Sequence, residues 1–237
     1  MLGCLNKIGP DTVLVASNEI KQGHSISLKS VVTAITESQQ GRHDEFNTQC
    51  SSQWDSLCHF YHRESASAYS GCKPPGQELV QGWGEEDNEK RLPTLDHWHE
   101  RGGLVARGVL IDFKAYADSK CLDFAPFGDY GISLSQPEES KSIRRGIPRA
   151  AKWFWNKGFA VVARDNVGFE VEHADGTAPV LHPYLLSLFG MPIAELRDLK
   201  ALSAHRAKTG RYSFFLTSVL LNVAGAVGSP PNALAVF

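Results

Sequence analysis

Between Phe46 and Phe60 the chain reads FNTQCSSQWDSLCHF, its densest run of chemically useful side chains. Read as a strand, with side chains alternating between faces, the segment projects Gln49, Ser51, Gln53 and Asp55 to one side. Two amides, a hydroxyl and a carboxylate then stand in a row. Such a row is either a solvated strand face or the polar wall of a cavity, where every group needs a partner. As a cavity wall it makes Asp55 and His59 an acid–base pair. His59-x-x-His62 and His97-x-His99 have spacings that suit two imidazoles near one metal, and equally suit loop histidines facing water. Cys50 and Cys58 read as small buried thiols, because neither sits in a defensible Cys–His nucleophile pattern. Trp54, Phe60, Tyr61 and Trp98 fit the lining of an apolar pocket for an aromatic ligand, and fit a core equally well. Glycine-rich phosphate loops, a GxSxG elbow and paired CxxC motifs do not occur.

These residues need elements to position them. The spacing predicts a helix over 11–22 stopped by Gly23, a strand over 24–28, and a strand over 46–54. Residues 105–113 (VARGVLIDF) and 158–165 (GFAVVARD) read as buried strands, and 149–157 as a helix with Trp153 on one face. HPYLLSLFG (182–190) reads as a short helix closed by Gly190. AELRDLKALSAHRAKT (194–209) reads as an amphipathic helix stopped by Gly210, and 212–223 as a strand. Residues 63–94 and 118–148 are irregular. Strands and helices interleave without a regular repeat, which predicts an α/β fold: a mixed sheet or partly closed β-barrel flanked by helices, in one domain over 1–237.

Composition narrows the function classes. The 237 residues carry 24 Lys+Arg against 26 Asp+Glu, a net charge of −2. Nothing in that balance favours nucleic acid, which calls for a basic face. Five cysteines in no regular framework, without an N-terminal apolar run, suggest reduced thiols and a cytoplasmic protein. The most apolar stretch, 214–228, is short of a bilayer span and broken by Thr217, Ser218 and Asn222, so no membrane association is expected.

The segment from Gln49 to His59 resembles the signature of the cyclase family, which includes bacterial kynurenine formamidase and isatin hydrolase. The common pattern is H-x-G-T-H-x-D-x-P-x-H; here it reads QCSSQWDSLCH, matching at Asp55 and His59. A fungal-type branch is closer, with SSQWD in place of GTHxD. LGCLN (2–6), TVL (12–14), DHW (96–98), GGLVARGVLID (102–112), FAVVARDNVGFE (159–170), His182-Pro183, GMP (190–192), Glu195, Asp198-Leu199, 210–215 and GSPPNA (228–233) extend the resemblance over nearly the whole chain. The family's strand with an R-[ST]-G core has only a poor echo, at Arg144-Arg145-Gly146.

The resemblance implies an enzyme in which Asp55, His59, His182 and Glu195 are catalytic. It implies that Gln49, Gln53, Ser51, Trp54, Phe60 and Trp98 contact substrate. Both metal-binding histidines of the pattern are glutamine here, at 49 and 53. An amide oxygen is a weaker zinc donor than imidazole, so a set of Asp55 with Gln49 and Gln53 suits no metal, or a weakly bound Mn²⁺ or Mg²⁺ rather than Zn²⁺. The expected reaction is hydrolysis of an amide, lactam or ester of a small carbonyl compound, similar to arylformamidase. The alternatives are a metal-independent cyclase, dehydratase or isomerase acting on a biosynthetic intermediate, and a non-catalytic descendant. A homodimer is also implied.

Overall fold

The computed structural model describes residues 2–28, 51–73, 92–95, 97–123, 143–170, 180–222 and 225–237. Among these residues, eight strands form two four-stranded sheets. The first sheet has β1 (Ser25–Ser27), β3 (Leu104–Val109), β6 (Ser213–Leu220) and β8 (Pro231–Val236) in the order β1-β8-β6-β3, all antiparallel. The second has β2 (Gln53–Asp55), β4 (Val162–Ala163), β5 (Ile193–Glu195) and β7 (Gly228–Ser229) in the order β4-β5-β2-β7. This second sheet is mixed: β4 runs parallel to β5, and the other pairs are antiparallel. The expected α/β class with a mixed sheet is what the chain forms. Helices α1 (Pro10–Ser17), α2 (His97–Glu100), α3 (Phe113–Ser119), α4 (Ile143–Asn156) and α5 (Lys200–Thr209) accompany the sheets.

The two sheets meet through a shared core. Trp54 of β2 and Ala194 of β5 pack with Leu104 of β3, Leu220 of β6, Leu5, Leu95 and Trp98. The Trp54 indole N–H donates to Ser218 Oγ of β6 at 3.0 Å, satisfying the one polar atom that this burial would strand. A second apolar cluster (Leu185, Leu186, Met191, Ile193, Phe169, Val162) backs the other side of the mixed sheet. A third (Ile26, Leu110, Leu202, Phe214, Ala235, Phe237) lies under the first sheet, where α5 packs. The chain passes from one sheet to the other within 228–236, and Pro230 separates β7 from β8.

Several expected elements differ. The strand over 46–54 is confined to Gln53–Asp55 among the described residues, with Ser51 and Ser52 in a bend. VARGVLIDF does form a strand to Val109, but Arg107 and Val109 face out and Ile111 is exposed, so it is half-buried rather than buried. Most of 158–165 is irregular, with a two-residue strand at its centre. Residues 182–190 form a π-helical segment, Pro183–Leu188, and Gly190 follows it at φ +62°, close enough to Gly3 and the Tyr69 ring that a side chain would collide with both. The helix expected over 194–209 starts only at Lys200. Its first residues are strand β5, and Leu196 at φ +53° turns the chain between the two. Strand pairing overrides the helical periodicity there, because Gln53, Trp54 and Asp55 supply partners for Glu195, Ala194 and Ile193.

Candidate active site

The register of β2 against β5 builds the site. Gln53 stands opposite Glu195 and Asp55 opposite Ile193. Alternation therefore puts Gln53, Asp55 and Glu195 on one face and Trp54 and Ala194 on the other, toward the shared core. All three polar residues are buried, Asp55 completely. Gln53 Nε2 donates to Glu195 Oε2 at 3.0 Å, and the backbone N–H of Phe169 donates to Glu195 Oε1 at 2.7 Å.

His182 enters from the start of the π-helical segment. Its Nε2 lies 3.3 Å from Glu195 Oε1 and 3.6 Å from Asp55 Oδ2. Its Nδ1 lies 2.8 Å from both oxygens of Glu170, and its backbone N–H donates to Glu170 Oε1 at 3.1 Å. The Phe60 ring packs against the imidazole, with centroids 4.7 Å apart. Burial disfavours the charged ring, but the carboxylates of Asp55, Glu170 and Glu195 beside it outweigh this and raise the His182 pKa to about 11. With those carboxylates around it, the ring is an imidazolium across the neutral range. The fourth expected group, His59, sits with Nε2 3.9 Å from Asp55 Oδ1 and keeps 21% of its side chain exposed, which marks the solvent side.

Asp55 differs from its neighbours. Both of its carboxylate oxygens are buried and, apart from the His182 and His59 nitrogens at 3.6 and 3.9 Å, meet no donor among the described residues; Gln53 Oε1 is likewise buried with no donor among them. Three such acceptor oxygens on one strand face are costly unless a cation, a water or a substrate donor meets them. The ligating atoms of Asp55, His182 and Glu195 lie within 4.8 Å of one another, so this set is able to hold a metal ion. The donor chemistry fits a hard divalent cation: two carboxylates, an amide oxygen and one imidazole, with oxygen predominating.

Of the expected catalytic residues, the structure brings Asp55, His182 and Glu195 together, with His59 at the rim. Gln53 is in the site; Gln49 lies outside the described residues. Ser51 is buried but sits in the bend before β2, with its hydroxyl toward the Ser52 carbonyl at 3.4 Å. Among the aromatics only Phe60 touches the site. Trp54 and Trp98 are core residues, 5.3 Å apart between the sheets, because the pleat turns Trp54 away from Asp55. His62 bonds Ser65, and His97 bonds the Leu92 carbonyl at 2.8 Å, and among the described residues neither histidine pair gathers a metal-ligand cluster. Arg197 was not anticipated. It is 3% exposed, donates to the Gln53 carbonyl at 3.3 Å and lies 4.9 Å over the Trp54 ring. Burial lowers its pKa to about 9, and its Nη1 has no hydrogen-bond partner among the described residues. Glu170 was also missed. It closes FAVVARDNVGFE (159–170), a stretch that entered only through the family resemblance, and nothing local shows that its carboxylate reaches a histidine twelve residues on.

No family model matches the chain, and no curated protein does. Solved structures do. A protein described as a novel cyclase superposes with a TM-score of 0.72 at 23% identity, over 100% of this chain and 96% of its own. A potential metal-dependent hydrolase with cyclase activity gives a TM-score of 0.46 at 13% identity, over 90% and 96% of the two chains. A predicted metal-dependent hydrolase from Bacillus stearothermophilus gives 0.39 at 16%, over 90% and 87%. The first of these shows that the chain has the fold of that cyclase.

Proposed function

We propose that this chain is an enzyme of the cyclase family that hydrolyses an amide, lactam or ester bond in a small carbonyl compound. The observation that carries the reading is the pairing of unlike groups in one buried site. Asp55 offers two buried oxygens with no hydrogen-bond donor among the described residues, and His182 offers an Nε2–H held among carboxylates. One group is suited to take a proton and the other to give one. In the reaction, Asp55 accepts a proton from water as its oxygen adds to the carbonyl carbon. The carbon–heteroatom bond then breaks, and His182 donates its Nε2 proton to the leaving nitrogen or oxygen. Glu195, held by Gln53 and Phe169, keeps the imidazole in place from the other side. Phe60 shields the ring from water, and His59 stands at the entrance.

Asp55, Glu195, His182 and Gln53 Oε1 would also hold a divalent cation of the Mn²⁺ or Mg²⁺ type. When bound, such an ion polarises a carbonyl and lowers the pKa of water. His182 would then present a neutral Nε2, with its Nδ1–H still donated to Glu170.

The test is turnover of N-formylkynurenine and a panel of simple lactams and aryl esters, with and without added Mn²⁺ or Mg²⁺. Activity in the wild type that disappears in Asp55→Asn and His182→Asn supports the reading. Undiminished activity in both variants sinks it. A metal-independent cyclase or dehydratase is favoured by one specific contact, the Gln53 amide N–H₂ engaged with Glu195. Turnover unaffected by chelators, with no stoichiometric metal on elemental analysis, selects that alternative. The same reading carries a homodimer, which light scattering tests directly.

A further inference from the structure

We infer that Glu170 is the positioning residue of the site, acting on His182 from behind. The inference rests on the reading of His182 as the group that works through Nε2. An imidazole ring has two nitrogens, and when both are protonated each donates to a different partner. Which nitrogen faces substrate is therefore decided by what holds the other.

Here both carboxylate oxygens of Glu170 stand 2.8 Å from Nδ1, so Nδ1 is the donor, because a carboxylate only accepts. Oε1 also takes the backbone N–H of His182 at 3.1 Å. Ring and main chain of the same residue are thus gripped by one carboxylate. Phe60 packing on the ring reinforces that orientation, leaving Nε2 directed at Asp55 and Glu195.

The grip reaches further through the chain. Glu170 follows Phe169, whose backbone N–H holds Glu195 Oε1 at 2.7 Å. Two consecutive residues therefore set the positions of the two groups from the C-terminal half. The loop that carries them is itself tied down. The Arg164 guanidinium donates to the Phe169 carbonyl at 2.8 Å, Arg164 N–H to the Ala194 carbonyl at 2.9 Å, and Leu196 N–H to the Asn166 carbonyl at 3.0 Å. The 164–170 loop is thereby fastened to β5, the strand that supplies Glu195. Carboxylates behind a working histidine typically change activity or metal affinity by about 10–100-fold when removed.

The experiment compares wild type, Glu170→Gln and Glu170→Ala by ¹⁵N-edited NMR of the histidine rings at neutral pH. The His182 signals are assigned by difference with His182→Asn. Wild type should show a protonated, hydrogen-bonded Nδ1. Glu170→Gln, which keeps the shape and an acceptor oxygen, should retain the proton with a shifted resonance. In Glu170→Ala the hydrogen-bonded Nδ1 resonance should be lost, with kcat lower by about tenfold to a hundredfold and KM little changed. A role confined to stability would lower the melting temperature of both variants and leave the His182 pattern as in wild type. That pattern, or wild-type kcat in Glu170→Ala, overturns the inference. If the alanine variant does not fold, the glutamine variant decides alone: an unshifted Nδ1 resonance refutes it. If no tested compound is turned over while the Nδ1 resonance still depends on residue 170, the hydrolytic reading fails and the positioning role stands.

Discussion

The two sheets solve opposite problems with the same backbone. The antiparallel sheet has strands of up to eight residues, and β8 alternates buried and exposed positions along its length. Its core face is apolar, with Phe214, Ala233, Ala235 and Phe237 packed against Leu202 of α5. The mixed sheet has strands of two or three residues, and β2 and β5 are buried at every position. One of its faces joins the apolar core, while the other carries Gln53, Asp55 and Glu195. The first sheet stabilises by removing hydrocarbon from water. The second holds carboxylates in the interior at a cost in stability, and its geometry is useful because of that cost.

The sharpest separation of the two comes from Asp55→Asn, which keeps the volume and removes the charge. Activity should fall by about 10²–10⁴-fold, the usual range for losing a proton-transfer group. Stability of the chelator-treated protein should not fall, because the Asp55 oxygens accept no hydrogen bond from the described residues and His182 keeps Glu170 and Glu195. Marked destabilisation on thermal unfolding would mean that the mixed sheet depends on the Asp55 charge, and the contrast would fail. Phe214→Ala is the converse. The ring is 5% exposed and lies across Gly108 of β3, its strand partner. Its loss should cost about 3–5 kcal/mol in denaturant unfolding, with kcat per folded molecule unchanged. A change in kcat would show that the antiparallel sheet is not energetically separate from the site.

How far each region could be read in advance follows from the same difference. The strand over 212–223 and the strand over 24–28 were legible because apolar alternation is a local signal, and the antiparallel sheet is built on it. Asp55 and His59 were legible from strand alternation as an acid–base pair, whereas His182 and Glu195 came from the family resemblance. The helical spacing of AELRDLKALSAHR pointed to one helix, yet Glu195 lies on a strand because its partner is Gln53, 142 residues away. Trp54 alternates with Asp55, so a polar site face implied an inward Trp54, but only once the other sheet was known to cover it. Glu170 and Arg197 were invisible for the same reason: each acts through a contact fixed by tertiary packing.

Cation binding gives a smaller, site-specific effect. With Mn²⁺ present at about 100 times its dissociation constant, the folded state should gain about 2.7 kcal/mol. Thermal unfolding should register this in wild type and not in Asp55→Asn. Equal shifts in the two proteins would place the ion elsewhere.

The smallest effect probes the antiparallel side, where a carboxylate is fully partnered. Asp112 accepts from the backbone N–H of Ala115 at 2.9 Å, capping α3, and Oδ2 accepts from Ser203 at 2.6 Å and from Arg206 of α5. Burial pushes its pKa up, but the bonds from Ser203, Ala115 and Arg206 outweigh this and leave it lowered. A folded-state pKa below the unfolded value means that the unfolded chain binds the proton more readily. The stabilisation is therefore complete above the ordinary carboxylate range and is lost as pH falls through the lowered folded value. Asp112→Asn should cost about 1–2 kcal/mol at neutral pH, the scale of a helix cap together with a charge-assisted bond. Denaturant unfolding of both proteins across the acid range should show the gap closing as wild-type Asp112 protonates. A gap that stays constant with pH would mean that shape, not charge, ties α3 to α5, and that the two sheets do not differ in how they hold their carboxylates.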